Sequence, residues 1–153
     1  MYPYKEFGST TLSHFNEAFW QWNKECSSYS LRSSLTAHSS TDFWVRLNAG
    51  KPDENKIYKV RDYERYDVPG ASHVTKTTSG KVTKASISLN PNAGLSNGAA
   101  ANTYDVWTVF IHEAGHVLGF NHCEYDSVMN VYPQGTLKRT LTNNDIYSIG
   151  QKY

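Results

Sequence analysis

The chain has 153 residues, a length typical of one compact domain that can bury a hydrophobic core. Hydrophobic residues make up 39% of it, and its formal net charge of +1 gives no electrostatic reason to expect nucleic-acid or membrane partners. No run approaches the roughly 20 apolar residues of a membrane span, and the opening residues lack the basic start and apolar segment of a secretory signal peptide.

The first half of the chain predicts a helix followed by short strands. A helix is expected over Thr10–Glu25, with Ser9 or Thr10 as its cap, because apolar side chains recur there at helical spacing. Runs of strand-forming residues, separated by Gly, Pro, Asn and Asp, predict three short strands, at Tyr29–Ala37, Phe43–Leu47 and Ile57–Arg61.

The second half predicts a hairpin and a helix. Ala71–Thr77 and Thr83–Leu89 flank a Ser-Gly turn, and we expect the first to be an edge strand and the second a more central one. A loop of small residues over Asn90–Asn102 leads to a helix expected at Thr103–Leu118. The sequence therefore predicts a single α+β domain over residues 1–153, with a twisted mixed sheet backed by two helices.

The segment HEAGHVLGFNH carries the most specific signal in the chain. One helical turn separates His112 from His116, so both imidazoles can bind one tetrahedral ion from the same helix face. Gly119 can enter a left-handed conformation that ends the helix and lets His122 return as a third ligand. Glu113 is rotated by about 100° from His112, which suits a base acting on zinc-bound water better than a third ligand beside His112 and His116. We favour a catalytic zinc over an amphipathic helix with incidental histidines.

This extended segment resembles the metzincin signature, and two later segments strengthen the resemblance. Ser127–Asn130 resembles the Met-turn, in which the side chain of Met129 would support the zinc-binding histidines without binding the ion. Leu141–Tyr153 resembles the C-terminal helix of matrixin catalytic domains, and Thr142 and Asp145 form a capping-box-like pair at its start. The resemblance is specific from about Ile87 to the C-terminus and otherwise rests on the order of elements.

The matrixin resemblance implies a fold and an activity. It implies a metzincin-like domain with a twisted mixed five-stranded sheet, two long helices, a Met-turn and a C-terminal helix. It also implies a secreted, monomeric zinc endopeptidase that cleaves protein or peptide segments lying antiparallel to the edge strand. Glu113 would take the proton of zinc-bound water and pass it to the leaving amine. The alternatives are a zinc-loaded peptide-binding module without turnover and a zinc hydrolase of another substrate class.

Several residues depart from the matrixin pattern. One histidine, His73, lies between Arg65 and Tyr104, so we expect the structural zinc of the family to be absent and the chain to bind one catalytic zinc. A calcium site is possible, but a solvated loop is the favoured interpretation of the five acidic residues Asp53, Glu54, Asp62, Glu64 and Asp67.

Tyr132 and Pro133 are predicted to form an apolar wall of the pocket for the residue after the scissile bond, in a register shifted from the usual Met-Tyr-Pro. Packing in the core is the alternative for both residues. Val131 stands where astacins and serralysins place a zinc-reaching tyrosine, which argues against those families.

Cys26 and Cys123 are the only cysteines. Cys123 directly follows the ligand His122, so it is a poor candidate for a further ligand of the same ion. We favour a disulfide between the two cysteines, which would suit a secreted protein, over two free thiols.

Overall fold

Three helices, a mixed sheet and a separate pair of short strands make up the regular structure of the described residues. The computed structural model describes residues 2–3, 7–26, 56–59 and 68–153, with only the backbone for 2–3 and 56–59. Its helices are α1 (Ser9–Lys24), α2 (Val106–Val117) and α3 (Asn143–Lys152). None of these helices is long and apolar enough to cross a membrane.

Four described strands make the main sheet, in the order β1-β2-β4-β3. They are β1 (Tyr2–Pro3), β2 (Lys56–Lys59), β3 (Gly70–Lys76) and β4 (Val82–Leu89). Strand β2 runs parallel to β1 and β4, whereas β3 runs antiparallel to β4, so the sheet is mixed. The predicted hairpin is confirmed, with β3 at the end of the described sheet and β4 between two neighbours.

The expected five-stranded sheet is not confirmed, because the described residues contribute four strands. The predicted strands Tyr29–Ala37 and Phe43–Leu47 lie outside the described residues, as does the end of the strand predicted at Ile57–Arg61. Strand β1 was not predicted, because two residues are too short for a periodic pattern. A separate parallel pair joins β5 (Leu95–Ser96) to β6 (Tyr104–Asp105), after a short 3-10 turn at Pro91–Ala93.

Helices α1 and α2 pack against each other at the centre of the core. The rings of Phe15 and Phe110 meet edge to face with centroids 5.1 Å apart. The indole of Trp22 is buried and donates a hydrogen bond to the carbonyl of Ile111 at 2.8 Å. The predicted cap of α1 is wrong: Gly8 occupies the N-cap position, without a side-chain hydrogen bond, because the helix begins already at Ser9.

Helix α2 begins three residues later than predicted. Tyr104 and Asp105 are extended in β6, and the Asp105 carboxylate then accepts a hydrogen bond from the backbone N–H of Thr108 at 2.9 Å. This side-chain cap starts the helix at Val106. The predicted end is confirmed, since Gly119 has φ +83° and the chain leaves the helix there.

The predicted disulfide is not formed in the structure. Cys26 lies buried just after α1, and Cys123 is half-buried; both are free thiols. The Cys123 sulfur faces the carbonyl oxygen of Tyr125 at 3.9 Å instead of a second sulfur. Both cysteines contribute to the hydrophobic cluster around α1 and α2, which gives them a packing role.

Candidate functional site

The three histidines predicted as ligands converge on one point beside α2. Their Nε2 atoms form a nearly equilateral triangle: His112 lies 3.1 Å from both His116 and His122, and His116 lies 3.0 Å from His122. In the described part of the chain, this is the one group of three or more His, Cys, Asp or Glu side chains that could hold a metal ion.

The other ring nitrogens fix the tautomer of two of these histidines. His112 Nδ1 donates to the carbonyl of Val128, and His116 Nδ1 donates to the carbonyl of Phe120, each at 2.8 Å. A carbonyl can only accept, so the proton sits on Nδ1 and the lone pair of Nε2 points into the triangle. Lone pairs at so short a distance from one another repel unless a cation lies between them. This donor set therefore fits zinc, which neutral imidazoles bind at about 2.0–2.1 Å.

Burial keeps two of these histidines, His112 and His116, in their neutral form. It lowers the pKa of His112 to about 4, helped by the neighbouring His116 and His122 and opposed by the hydrogen bond to Val128. Burial also lowers the pKa of His116, and the charge of Lys76 acts in the same direction. Both imidazoles are thus unprotonated, as metal binding requires, at neutral pH.

Glu113 lies next to the histidines but faces the sheet. Its side chain is 5% exposed, and burial raises its pKa to about 7, against the lowering effect of a hydrogen bond from Ser72. Ser72 Oγ lies 2.6 Å from Glu113 Oε2 and 2.9 Å from the Glu113 carbonyl oxygen. The carboxylate is therefore held by strand β3. The sequence analysis missed Ser72, because its link to α2 spans 41 residues and no motif contains it.

Met129, predicted as the residue of a Met-turn, is buried against helix α2 at Gly115. Its side chain is buried against Gly115, where an added Cβ would come within 2.2 Å of the Met129 sulfur and 2.9 Å of the Trp22 ring. Gly115 thus lets the methionine approach the helix between His112 and His116. The requirement for a glycine at this point was not predicted.

The Met-turn is tied to α3 through Asp145. The buried Asp145 carboxylate accepts hydrogen bonds from the Ser127 hydroxyl at 2.5 Å and from the Val128 backbone at 3.1 Å, while also completing the capping box with Thr142. Since the Val128 carbonyl in turn accepts from His112, a continuous set of hydrogen bonds links the C-terminal helix to a metal ligand. The capping box was predicted; its connection to the site was not.

A cavity of about 440 Å³ opens beside the histidines, between α2 and the segment after Met129. His112 and Glu113 line it on one side, and Tyr132 and Pro133 line it on the other. The Tyr132 hydroxyl donates to the carbonyl of Ser127 at 2.7 Å, which fixes the ring against the Met-turn. The structure therefore places both predicted wall residues at the cavity and not in the core.

The segment that follows this cavity wall in sequence is bound to the start of α2. The Arg139 guanidinium pairs with the buried Asp105 carboxylate, and the Lys138 N–H donates to the Thr108 hydroxyl at 2.9 Å. Arg139 holds the pKa of Asp105 below its usual value, together with hydrogen bonds from Thr108, although burial alone would raise it. The loop after Pro133 is thereby held close to α2.

A second cavity, of about 520 Å³, borders His116 and His122. Residues of β3 from Gly70 to Lys76 line one wall, and His116, Phe120 and Asn121 line the other. Gly70, Glu113 and His122 border both cavities, so the two form one continuous cleft along β3 with the histidines near its middle.

Comparison with known proteins agrees with this site. No curated protein matches the sequence significantly. The family model of the matrixins matches residues 3–153, nearly the whole chain, and these residues include the three histidines. The resemblance inferred from the sequence is thus confirmed, and the chain belongs to the matrixin family of metalloproteases.

Proposed function

We propose that this protein is a zinc-dependent endopeptidase that hydrolyses peptide bonds in extended protein segments. The observation that carries the proposal is the triangle of His112, His116 and His122, with Nε2 atoms 3.0–3.1 Å apart, beside a buried carboxylate in an open cleft. Three protein ligands leave one position for water or substrate, which is the arrangement of a catalytic zinc.

The histidines would hold the ion, and Met129 and Val128 would hold the histidines. When bound, zinc supplies a Lewis acid that lowers the pKa of water and polarises a peptide carbonyl. We propose one such ion. A calcium site has no support among the described residues, since the acidic positions 53, 54, 62, 64 and 67 lie outside them.

Glu113 would act as the general base and then as the general acid. Its carboxylate takes a proton from the attacking water and delivers it to the leaving amine. Ser72 supports this role by occupying Oε2, which leaves Oε1 for the water. An ordinary Glu pKa near 4.5 would make a weak proton acceptor at neutral pH, and burial acts to raise that pKa.

The cleft supports binding of an extended peptide. Strand β3 lies at the end of the described sheet, so its outer backbone groups can pair with a substrate chain. The cavity beside Tyr132 and Pro133 would receive the side chain of the residue after the scissile bond. Its lining includes Val68, Val109 and Val131, which favours a hydrophobic side chain.

We further propose that the protein acts as a secreted monomer on protein or peptide substrates. The formal net charge of +1 gives no reason to expect nucleic-acid or membrane partners.

Cleavage of casein by zinc-loaded protein tests the activity. Wild-type protein should digest casein, and Glu113→Ala should reduce the rate by about 10²–10⁴-fold while retaining zinc. Glu124→Ala is the matched control, because this exposed carboxylate lies close to His122 in sequence and outside both cavities. Near-normal activity of a folded, zinc-loaded Glu113→Ala variant would contradict the assigned base.

The same experiment separates the alternatives. A peptide-binding module would retain casein without cutting it, and a hydrolase of another substrate class would do neither. Mass spectrometry of the fragments identifies the residue after each cut. A hydrophobic residue is expected there, and a dominant acidic residue would contradict the proposed pocket.

A further inference from the structure

The wall of the second cavity carries a cation without an acidic partner. Lys76 lies exposed at the end of β3, and no carboxylate in the described part of the chain pairs with it. From Val68 to Tyr104 the sequence contains three lysines and no Asp or Glu. Glu113 is the one carboxylate among the residues that line this cavity, and it is turned toward Ser72.

Lys152 of α3 reinforces this charge. A Cβ built on Gly119 would lie 2.8 Å from the Lys152 ammonium and 3.6 Å from the Lys76 ammonium, so the two cations are neighbours at the end of α2. The Lys152 ammonium donates to the Gly119 carbonyl at 2.6 Å and lies 4.9 Å from the Phe120 ring centroid. Burial lowers the pKa of Lys152, and Lys76 lowers it further, which shows that the two like charges interact.

Strand direction determines which part of a substrate would meet these lysines. Strand β3 runs from Gly70, which borders the hydrophobic cavity, to Lys76. A substrate antiparallel to β3 therefore runs from Lys76 toward Gly70. The residue after the scissile bond would then enter the hydrophobic cavity, and the residues before the bond would lie along the second cavity.

The distance between Ser72 and Lys76 along β3 indicates which substrate residue would lie near Lys76. Ser72 is hydrogen-bonded to Glu113 and so lies beside the proposed general base. Lys76 lies four residues after Ser72, about 13 Å away along an extended strand. A paired substrate advances by the same step. Its third or fourth residue before the scissile bond therefore comes within reach of Lys76.

We propose that Lys76, supported by Lys152, selects substrates with an acidic residue three or four positions before the scissile bond. This inference rests on the proposed endopeptidase activity and adds a specificity determinant to it. The attraction between Lys76 and an acidic substrate residue acts at long range between solvent-exposed charges. It should therefore change cleavage rates by a modest factor and weaken with increasing salt concentration.

A set of matched peptides tests the proposal. The peptides share a hydrophobic residue after the cut and carry Glu, Gln or Lys at the third or fourth position before it. Wild-type protein should cleave the Glu peptide about 2–5-fold faster in kcat/KM than the Gln peptide, corresponding to the usual strength of an exposed ion pair. The Lys peptide should be the slowest, and 0.5 M NaCl should reduce these differences.

Variants of Lys76 test whether this residue causes the preference for acidic peptides. Lys76→Gln should remove the preference and Lys76→Glu should reverse it, while thermal unfolding checks that both are folded. Lys81→Gln is the matched control, because Lys81 lies on the same hairpin but lines neither cavity, and it should keep the wild-type preference. Equal cleavage of all three peptides, or an equal effect of Lys81→Gln, would overturn the proposal.

Two further outcomes are distinguishable. If wild-type protein cleaves none of the peptides nor casein, the proposed activity itself fails. If Lys76→Gln reduces retention on heparin while the peptide preference stays unchanged, the lysines bind a polyanion and the inference about peptide specificity is wrong.

Discussion

At the scale of single residues, the orientation of the Glu113 carboxylate depends on one hydroxyl group. Ser72 Oγ donates to Oε2 at 2.6 Å from a neighbouring strand. Ser72→Ala should therefore lower kcat by about 2–10-fold, the effect of losing one hydrogen bond of about 0.5–1.5 kcal/mol. Zinc content should not change, since the hydrogen bonds of the Ser72 side chain in the described part of the chain go to Glu113 and not to the three histidines. Steady-state kinetics with a peptide substrate measure the effect.

Two further variants distinguish orientation from general damage to β3. Ser72→Thr keeps a hydroxyl group on a strand-compatible side chain and should restore most of kcat. Thr75→Ala alters an exposed residue of the same strand and should have no effect. A Ser72→Ala variant with unchanged kcat, or a Thr variant as slow as the Ala variant, would show that the hydroxyl does not orient Glu113.

The group of histidines that could hold a metal ion was predictable from sequence, whereas the groups that support these histidines were not. His112, His116 and Gly119 are fixed by the geometry of one helix and its end, so spacing alone identifies them. The carbonyls of Val128 and Phe120 that hold the rings are backbone groups, which leave no mark on the sequence. Lys76 likewise lies at the cleft only because β3 runs beside α2.

At the scale of elements, helix α3 stabilises the site through its first turn. Asp145 completes the capping box of α3 with Thr142 and accepts hydrogen bonds from Ser127 and Val128. Asp145→Ala should lower the free energy of unfolding by roughly 2–4 kcal/mol, because it removes a helix cap and leaves buried donors without an acceptor. It should also weaken zinc binding, since Val128 holds His112.

Urea unfolding and zinc titration check both effects. Tyr147→Ala is the control on the same helix, because its side chain is 70% exposed, and it should change neither quantity appreciably. If Asp145→Ala loses stability but binds zinc as tightly as the wild type, α3 is not coupled to the metal ligands.

Element boundaries show where sequence patterns lose information. Apolar periodicity located α1 within one residue, but it placed the start of α2 three residues early. Tyr104 and Asp105 are compatible with a helix by pattern, yet they pair with β5, and the Asp105 carboxylate then acts as a cap. Long-range pairing decided the boundary, and a local pattern does not contain it.

At the scale of the whole molecule, the sequence predicted the α+β class, the hairpin and the order of the helices. The mixed sheet follows from a parallel pairing of β2 with β4, which are separated in sequence by strand β3 and by residues outside the described ones. Neither the parallel pairing nor the two-residue strand β1 has a local signature. The predicted disulfide failed because a count of two cysteines says nothing about the direction of their sulfurs.

The metal site also shapes the pH dependence of the whole fold when zinc is absent. The folded-state pKa of His112 is about 4, below its ordinary value of 6.5, so this histidine reduces stability as the pH falls from about 6.5 to 4. The folded-state pKa of Glu113 is about 7, above its ordinary value of 4.5, so this carboxyl reduces stability as the pH rises from about 4.5 to 7. The two effects oppose each other over most of this range.

In the metal-free protein, Glu113→Gln should remove the loss of stability that the buried carboxyl causes as the pH rises. Above pH 7 the variant should be more stable than the wild type by up to about 3 kcal/mol, because the wild type must bury a charged carboxylate. Between pH 4 and 6.5 the stability of the variant should rise with pH more steeply than that of the wild type. Urea unfolding of chelator-treated proteins at pH 5, 6 and 7.5 measures the difference. Addition of zinc should reduce the difference in the free energy of unfolding, since a nearby cation favours the charged carboxylate. A difference between the two proteins that is the same at every pH would contradict the burial of an ionisable Glu113.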